Sequence, residues 1–338
     1  MKKLKASVVT PMYNAANTIP ELLNALNKQT EKSFEMVLVD DGSRDNSLEI
    51  AKNFKSRFPL MIIKQRNSGP AIARNNGAEK AKTNIIIFVD SDCVPREDFI
   101  AKILAPFKDK EVVGVQAETE TYNMSSLIAR YVSCEIYYRH EFMKRLERID
   151  HVSTCACAYR KKDFGKGFIT KFKKADMEDI ELSYRLAKEG KKLVFEPNAI
   201  AGHHHPEGFW NFMGIQLSRG YWRVLGHKMH PEKILRDSYM KNDIAIQGGL
   251  SVIFLFVLFL SVIFSVLHIS KNLFIIALVD FFILALFNLP LGIYSTRYEK
   301  KMLILAPIIA SCRSIAGTIG FLKGIIYSSL KLKEFKEI

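Results

Sequence analysis

Cysteine is scarce in this 338-residue sequence, which contains five cysteines at irregular positions. Cys155 and Cys157 form a Cys-x-Cys pair, but no second pair follows, so the spacing indicates no zinc site. The odd number and the irregular spacing also argue against the disulfide framework of a small secreted protein. We therefore expect free thiols and a reducing compartment that faces the cytosol.

The chain also lacks a secretory signal, because its basic first residues run straight into a predicted strand without an apolar segment. It shows no internal repeat and no low-complexity linker. Acidic residues are fewer than basic ones. The sequence has 35 Asp and Glu and 49 Lys and Arg, which gives a net charge of +14. This excess indicates an anionic partner, namely nucleic acid, anionic lipid or a phosphorylated substrate.

Charge is missing altogether from residues 244–269, and the next apolar run, 272–294, holds a single acidic residue, Asp280. Each run is long enough to cross about 30 Å of hydrocarbon, so we predict two transmembrane helices. The short link Ser270-Lys271-Asn272 would join them into a hairpin. Positive charge at 296–301 favours the same side as the basic N-terminal part. We expect a multi-pass protein of the cell membrane whose N-terminal domain faces the cytoplasm.

A third apolar segment, 302–327, is interrupted by Arg313 and Lys323. It is either a third span, with glycines at a helix interface, or a helix that lies in the headgroup plane. The basic tail at 331–336 would prefer the cytosolic side, which favours the interfacial alternative. We assign residues 236–338 to a C-terminal membrane region.

Strand and helix patterns alternate in the part that precedes this region, 1–235. Its apolar strand segments are 7–10, 36–39, 60–63 and 85–89. The alternation predicts an α/β fold with a Rossmann-like, mostly parallel sheet and helices on both faces. We divide this domain into halves at 1–120 and 121–235. Right-handed crossovers place the loops after the first, second and fourth strands on one rim.

The fourth predicted strand ends in two carboxylates, Asp90 and Asp92, one residue apart. Ligands of open α/β sheets bind at this edge, and carboxylate oxygens there can hold Mg²⁺ or Mn²⁺ against a diphosphate. We expect Asp92 to bind the metal directly, and Asp90 to contact the metal site through a metal-bound water or to touch a ribose. The alternative is an ordinary solvated turn.

Other polar side chains follow the neighbouring strands on the same rim. Tyr13 and Asp41 come after the first two strands, and Arg74 lies on the helix after the third. Asp41 can accept a hydrogen bond from the base N–H of uracil or guanine, and Arg74 can pair with a diphosphate. A turn carboxylate and a solvated helix charge are the respective alternatives. Together with the two carboxylates, these residues predict a nucleotide-sugar site.

Four successive segments resemble the motifs of glycosyltransferase family 2, in that family's order and spacing. They are Ser7-Val8-Val9-Thr10-Pro11-Met12-Tyr13-Asn14, Val39-Asp40-Asp41-Gly42-Ser43-Arg44-Asp45, Ala73-Arg74-Asn75-Asn76-Gly77 and Val89-Asp90-Ser91-Asp92. The resemblance implies a GT-A fold, a nucleoside-diphosphate-sugar donor of UDP or GDP, a divalent metal and inversion at the anomeric carbon. It also implies that Pro11, Tyr13, Asp41, Arg74 and Asp90 bind the donor.

A fifth segment, 176–186, resembles the family's Glu-Asp-x-Glu-Leu-x-x-Arg-Leu helix. On this resemblance Asp179 is the general base that takes the proton from the acceptor hydroxyl, and Glu178 belongs to the donor site. Carboxylates also suit a helix N-terminus through the helix dipole, which is the structural alternative.

Three consecutive histidines, 203–205, follow a predicted strand. Adjacent side chains of an extended segment alternate between its faces, so only His203 and His205 can point to the same side. The resemblance suggests that one histidine here reaches the metal or the diphosphate, and we choose His205. Packing within a surface loop is the alternative.

The segment 216–222 is similar to the Gln-x-x-Arg-Trp motif of processive family members. On this similarity Arg219 can stabilise the leaving diphosphate. Gly220 and Tyr221 separate Arg219 from Trp222, and this departure argues against processive polymerisation.

The resemblance and the membrane segments together imply sugar transfer to a lipid-linked acceptor, either a polyprenyl-linked saccharide or a polyprenyl phosphate, in glycan or cell-envelope biosynthesis. Alternatives are a processive polysaccharide synthase and a non-catalytic membrane scaffold. A sugar nucleotidyltransferase would need a Gly-rich loop after the first strand, which is lacking.

Basic and aromatic residues interleave in a predicted helix at 127–149, which suits single-stranded nucleic acid. The membrane segments favour a lipid instead, so we expect no nucleic-acid partner.

Overall fold

The computed structural model describes residues 3–170, 177–233, 238, 243–267 and 273–330. The chain divides into two compact units. The first unit combines Met1–Asn123 with His140–His205, and the second combines Met124–Arg139 with Pro206–Ile338. This division differs from the predicted boundary at 235, because helices on both sides of the first unit's last segment pack with the C-terminal helices.

The first unit is built around one mixed sheet. Its strands are β1 (Ala6–Met12), β2 (Phe34–Asp40), β3 (Leu60–Lys64), β4 (Ile85–Val89), β5 (Cys93–Pro95), β6 (Val112–Thr121), β7 (Ala156–Arg160) and β8 (Lys192–His203). Its helices are α1 (Ile19–Lys28), α2 (Ser47–Asn53), α3 (Pro70–Lys80), α4 (Phe99–Leu104), α6 (Lys161–Phe164) and α7 (Glu178–Lys188), while α5 (Leu127–Met143) contributes to both units. Among the described residues, eight strands pair in the order β3-β2-β1-β4-β7-β6-β8-β5.

The predicted alternation is confirmed in the first half of the sheet. β1 pairs in parallel with β2 and β4, and β2 pairs in parallel with β3. Every residue of β2 is buried, as expected for a strand covered by helices on both faces. The pairing changes at β7, which runs antiparallel to both β4 and β6, whereas β6 and β8 are parallel.

A short strand that the sequence did not predict fixes the far edge of the sheet. β5 is three residues long and pairs antiparallel with the end of β8, so that Cys93 lies opposite His203. Because β5 begins one residue after Asp92, this pairing brings the histidine segment beside the end of β4. The site therefore depends on a contact between residues more than a hundred positions apart.

The second unit is helical. It contains the first part of α5 together with α8 (Phe209–Met229), α9 (Asp243–Val266), α10 (Leu273–Phe287), α11 (Leu289–Ser295) and α12 (Met302–Ser329). Apolar residues of α5, α8, α11 and α12 form a shared core, which includes Tyr131, Phe212, Leu291 and Ala306. This packing explains why residues 124–139 and 206–229 belong with the C-terminal helices.

Of the described helices, two are long and apolar enough to cross a membrane, Ile246–Val266 and Met302–Ser329. The predicted second span, 272–294, is instead a pair of helices bent by 48° at Asn288, and the second of them, α11, has Pro290 in its first turn. Counting this pair as one broken span gives up to three. The predicted hairpin link and the basic tail lie outside the described residues.

Glycines let α8 and α12 touch backbone to backbone. A Cβ atom at Gly220 would lie 2.0 Å from the carbonyl oxygen of Gly317, and one at Gly320 would lie 2.0 Å from that of Leu217. Small residues at helix interfaces permit this close approach. Gly220, which departs from the processive pattern, is therefore required by the packing of α8.

Gly77 of α3 has a similar role against the sheet, because a Cβ there would lie 2.4 Å from Cγ1 of Val9. We expect Gly77→Ala to lower the free energy of unfolding by about 1–3 kcal/mol, since the buried valine cannot move away. Helix propensity alone would give the opposite sign. Thermal unfolding in detergent, with the exposed Lys80→Ala of the same helix as control, measures the change. An unchanged or raised Tm would contradict the close packing.

Candidate active site

The carboxyl ends of β1, β2 and β4 lie at one edge of the sheet, as the sequence predicted. Met12 at the end of β1 is opposite Asp40 at the end of β2, which places Tyr13 and Asp41 next to each other in the fold. Tyr13 is exposed and Pro11 is half-buried. An exposed ring and a proline at this edge offer an apolar surface on which a nucleotide base can pack.

Asp41 organises the loop that leads into α3. One carboxylate oxygen accepts hydrogen bonds from the Gln65 side chain and the Ser68 backbone N–H, both at 2.8 Å, and the other accepts one from the Gly69 N–H at 2.9 Å. Asp40 instead accepts the Ser43 N–H and stabilises the turn after β2. A carboxylate has about four accepting positions, so Asp41 keeps one for a further donor such as a base N–H.

Arg74 lies between two carboxylates. Its Nη2 is 2.7 Å from Oδ1 of Asp90, and its Nη1 is 2.9 Å from Oε1 of Glu178. The side chains of Arg74 and Glu178 are only 2% and 1% exposed. Burial opposes the charge, but Asp90 and Glu178 raise the pKa of Arg74 above its usual value, so the guanidinium stays charged.

This placement differs from the expected diphosphate contact. Arg74 joins the end of β4 to the start of α7, and it orients Asp90 while leaving the other Asp90 oxygen available. Glu178, which the resemblance assigned to the donor site, has its carboxylate turned to Arg74. Direct donor contacts of Arg74 and Glu178 stay predictions, whereas their contact with each other positions Asp90.

Asp92 and His203 form the part of the site that fits a divalent cation. Asp92 Oδ2 lies 3.4 Å from His203 Nε2, and these atoms share a cluster with Cys93 in which all ligand atoms are within 4.8 Å. Burial raises the pKa of the Cys93 thiol well above its usual value. The Asp92 carboxylate and the His203 imidazole are the candidate ligands, and carboxylate oxygens with an imidazole suit Mn²⁺ or Mg²⁺. The predicted part of Asp90 in the metal site stays a prediction.

The predicted metal-binding role of His205 stays a prediction, and the structure places another histidine closer to Asp92. His203, not His205, lies beside Asp92, because the pairing of β8 with β5 sets Cys93 opposite His203. The His205 ring instead packs edge-on against His203, with centroids 4.6 Å apart, and its backbone is held by Asn123. His204 points elsewhere, to Glu21 at 2.8 Å.

Asp179 lies at the N-terminus of α7 and is half-buried. Its Oδ2 accepts the Thr154 N–H at 3.2 Å and its Oδ1 the Ile180 N–H at 2.8 Å. Its charge is among those that raise the pKa of Arg74. The Asp90 N–H donates to the carbonyl of Cys155, the residue after Thr154, so Asp179 and the end of β4 contact neighbouring residues. The role of Asp179 as the base stays a prediction.

Asn75 is a positioning residue that the sequence reasoning missed. Its side-chain amide donates to the Phe168 carbonyl at 2.8 Å and accepts the Phe168 N–H at 2.9 Å. The Phe168 ring lies 5.9 Å from the guanidinium of Arg74. Asn75 directly follows Arg74 in the third family-like segment, which is the sequence signal that could have identified it.

Arg219 is exposed on α8 in the second unit. Its predicted contact with the leaving diphosphate stays a prediction.

Comparison with known proteins decides the family. Residues 7–168 match the family model described as glycosyl transferase family 2. These residues belong to glycosyltransferase family 2. The match covers β1 to β7, α3 and Asp92, and it ends before Asp179 and before helices α8 to α12.

Curated relatives resemble the family 2 domain over parts of their length. An uncharacterized glycosyltransferase YibD of Escherichia coli is 39% identical over 89 residues, which are 26% of this chain and 26% of that protein. The poly-beta-1,6-N-acetyl-D-glucosamine synthase of Staphylococcus aureus is 27% identical over 248 residues, which are 67% of this chain and 55% of that protein. The chain thus spans between about a quarter and about half of these relatives.

A solved structure shows the fold. The mannosyltransferase PcManGT from Pyrobaculum calidifontis, in complex with GDP-Man and Mn²⁺, superposes with a TM-score of 0.60 at 16% identity, over 95% of this chain and 88% of that chain. The fold of the family 2 domain is therefore GT-A, as the resemblance implied.

The buried pair of Arg74 and Glu178 predicts a rescue experiment. Arg74→Met leaves the Glu178 charge buried without its partner, so we expect it to lower stability by about 3–5 kcal/mol. The double variant Arg74→Met/Glu178→Met should regain most of that stability but bind nucleotide with Mn²⁺ less tightly, because Asp90 has lost its partner. Thermal unfolding and nucleotide titration measure the two effects.

A matched control is Arg185→Met, which removes the partner of Glu181 in a more exposed pair on α7. We expect this variant to lose less stability than Arg74→Met and to bind nucleotide normally. Full nucleotide affinity in the double variant would show that Arg74 does not position Asp90.

Proposed function

We propose that the protein is a membrane-attached, inverting glycosyltransferase that moves a sugar from a nucleoside-diphosphate-sugar to a lipid-linked acceptor. The observation that carries this proposal is the contact of Asp92 with His203 directly after β4, beside Asp90, whose carboxylate pairs with the buried Arg74. The family 2 match and the apolar C-terminal helices support it.

The donor would lie across the edge formed by β1, β2 and β4. Pro11 and Tyr13 would pack against the base, and Asp41 would accept its N–H with the remaining lone pair. UDP and GDP both present such an N–H. The solved mannosyltransferase holds GDP-Man with Mn²⁺, which makes GDP-sugars and Mn²⁺ the first donor and metal to test.

Asp92, Asp90 and His203 would hold Mg²⁺ or Mn²⁺, which supplies positive charge to the diphosphate as it leaves. Asp179 would accept the proton of the acceptor hydroxyl while that oxygen forms a bond to the anomeric carbon. The bond from the anomeric carbon to the diphosphate oxygen breaks, and the nucleoside diphosphate leaves. Attack from the face opposite the leaving group inverts the configuration.

An acceptor that stays in the bilayer suits a chain with apolar helices. α9 and α12 are long and apolar enough to cross a membrane, so the enzyme and an amphiphilic acceptor would meet in two dimensions. Polyprenyl-linked saccharides and polyprenyl phosphates are the acceptors we propose. A base at Asp179 favours the saccharide hydroxyl, because a phosphate acceptor is already ionised.

A processive polysaccharide synthase is the second candidate, since a relative with 27% identity over 67% of this chain is such a synthase. The altered segment after Arg219 argues against it, because Gly220 packs against Gly317 of α12. The length of the product distinguishes the two candidates. One added sugar per acceptor supports a single transfer, and a ladder of lengthening products supports processivity.

The function is tested with labelled UDP-, GDP- and dTDP-sugars, each offered with Mn²⁺ or Mg²⁺ and a membrane lipid extract. We expect one donor to move label into the organic phase. EDTA and Asp92→Ala should both abolish the transfer, and added Mn²⁺ should rescue only the EDTA-treated wild type. Label that stays aqueous with every donor would refute transfer to a lipid.

Asp179→Asn should lower the transfer rate by about 10²–10⁴-fold while nucleotide binding with Mn²⁺ is retained, because only proton removal is lost. Glu189→Gln, an exposed carboxylate at the other end of α7, is the control and should transfer normally. Turnover within a factor of a few of wild type in Asp179→Asn would exclude this residue as the base.

A further inference from the structure

Four charged side chains meet inside the second unit. We call them the arginine cluster: Glu135 and Arg139 of α5, Arg219 of α8 and Arg313 of α12. Arg313 interrupts an otherwise apolar helix, and the catalytic proposal does not use it. Charges on such helices are costly and are retained where they are paired or functional.

Contacts within the cluster are specific. Arg313 Nη1 forms an ion pair with Glu135 Oε1, and Arg139 pairs with the same oxygen from one turn along α5. Arg313 Nη2 donates to Gln247 Oε1 at 2.9 Å. The side chains of Glu135, Arg313 and Arg139 are 11%, 12% and 19% exposed, so the cluster is largely withdrawn from water.

The cluster carries more positive than negative charge. Glu135 is its one acidic member, and although burial opposes ionisation, Arg139, Arg313 and Arg219 lower the pKa of Glu135. Three guanidinium groups against one carboxylate leave an excess of two positive charges. Within the described residues, none accepts a hydrogen bond from Nε of Arg313, although that atom is buried. Arg219 is exposed and leaves the cluster open to a ligand.

The position of Gln247 indicates the depth of the cluster in a membrane. Gln247 is the second residue of the apolar stretch Ile246–Val266, so its partner Arg313 lies level with the end of that stretch. Arg313 is near the middle of α12, so α12 extends past this level on one side of the cluster. Ends of apolar spans lie at the level of the lipid headgroups. The guanidinium group of an arginine can bind two oxygens of one phosphate at once, and phosphates are the anions found at the level of the lipid headgroups.

We propose that the arginine cluster binds the phosphate group of the polyprenyl acceptor, while the apolar faces of α9 and α12 contact its hydrocarbon chain. This inference rests on the lipid-linked acceptor of the proposed function. Arg313 and Arg139 hold the phosphate oxygens, Arg219 closes the open side, and Glu135 keeps the arginines in place before the lipid arrives.

The test measures binding of labelled polyprenyl monophosphate in detergent micelles, without nucleotide-sugar. Arg313→Gln and Arg139→Gln should each weaken binding about tenfold or more, because each removes charged hydrogen bonds. The matched control is Arg130→Gln, another α5 arginine, which pairs with Glu299 outside the cluster at 3.0 Å. It should bind like wild type. Equal affinity in all four proteins would overturn the proposal.

Two further ligands show whether the cluster binds the phosphate of a lipid headgroup or a free phosphate anion. Polyprenol, which has the chain without the phosphate, should bind weakly and equally to wild type and variants. Inorganic pyrophosphate should not displace the lipid at matched concentration. Displacement by pyrophosphate would show a site for a free anion and would overturn the assignment to a lipid headgroup.

Glu135→Gln distinguishes a binding site from a structural ion-pair group. An anion site that loses its carboxylate becomes more positive, so polyprenyl phosphate should bind as tightly as in wild type or more tightly. A merely structural group would lose binding in Glu135→Gln and in Arg313→Gln alike, together with Tm. If Arg313→Gln does not fold, the more exposed Arg139→Gln gives the comparison.

An assay of nucleotide-sugar hydrolysis without lipid tests the proposed function separately from this inference. Hydrolysis that persists in Arg313→Gln and Arg139→Gln while their lipid binding is lost supports both. A wild type that neither hydrolyses nor transfers refutes the proposed function, whereas unchanged lipid binding in an active Arg313→Gln refutes only the arginine cluster.

Discussion

The site depends on one buried guanidinium. Arg74 pairs with Asp90 at the end of β4 and with Glu178 at the start of α7, and the contact with Glu178 is shielded from water. Three elements that are distant in sequence are held together by this charge, because leaving any member unpaired in the interior would be costly. The pair Asp90 and Asp92, the base candidate Asp179 and the loop fixed by Asn75 are all arranged around it.

The periodicity of the sequence was sufficient for the first four strands, since long apolar runs and intervening amphipathic helices define them. Asp41, Asp90 and Asp92 were proposed because they follow predicted strands, and Asp179 was proposed through the resemblance to the family. Their roles stay predictions. The pairing of β5 with β8 was not predictable. A strand of three residues is too short to show an alternation of apolar and polar residues, and its partner lies far along the chain. That pairing places His203 beside Asp92, so the position of this histidine was beyond the pattern alone.

Domain boundaries failed to follow composition for a related reason. α5 and α8 contain charged and aromatic residues and look soluble, yet their apolar faces pack with α11 and α12. Local hydropathy averages over all the residues of a helix, whereas packing depends on whether one face of the helix is apolar. The arginine cluster shows the same limit, because Arg313 interrupted an apolar run in the sequence while its partner Glu135 lay 178 residues away.

The glycine contacts between α8 and α12 have a mechanical consequence. Carbonyl oxygens of one helix occupy the space that side chains would fill on the other, so neither helix can slide along its neighbour. The two helices therefore move together, and Lys228 donates a hydrogen bond to Ser328 near their C-terminal ends. We therefore expect a tilt of α12, for example under lateral pressure from the surrounding lipids, to tilt the helix that carries Arg219 as well.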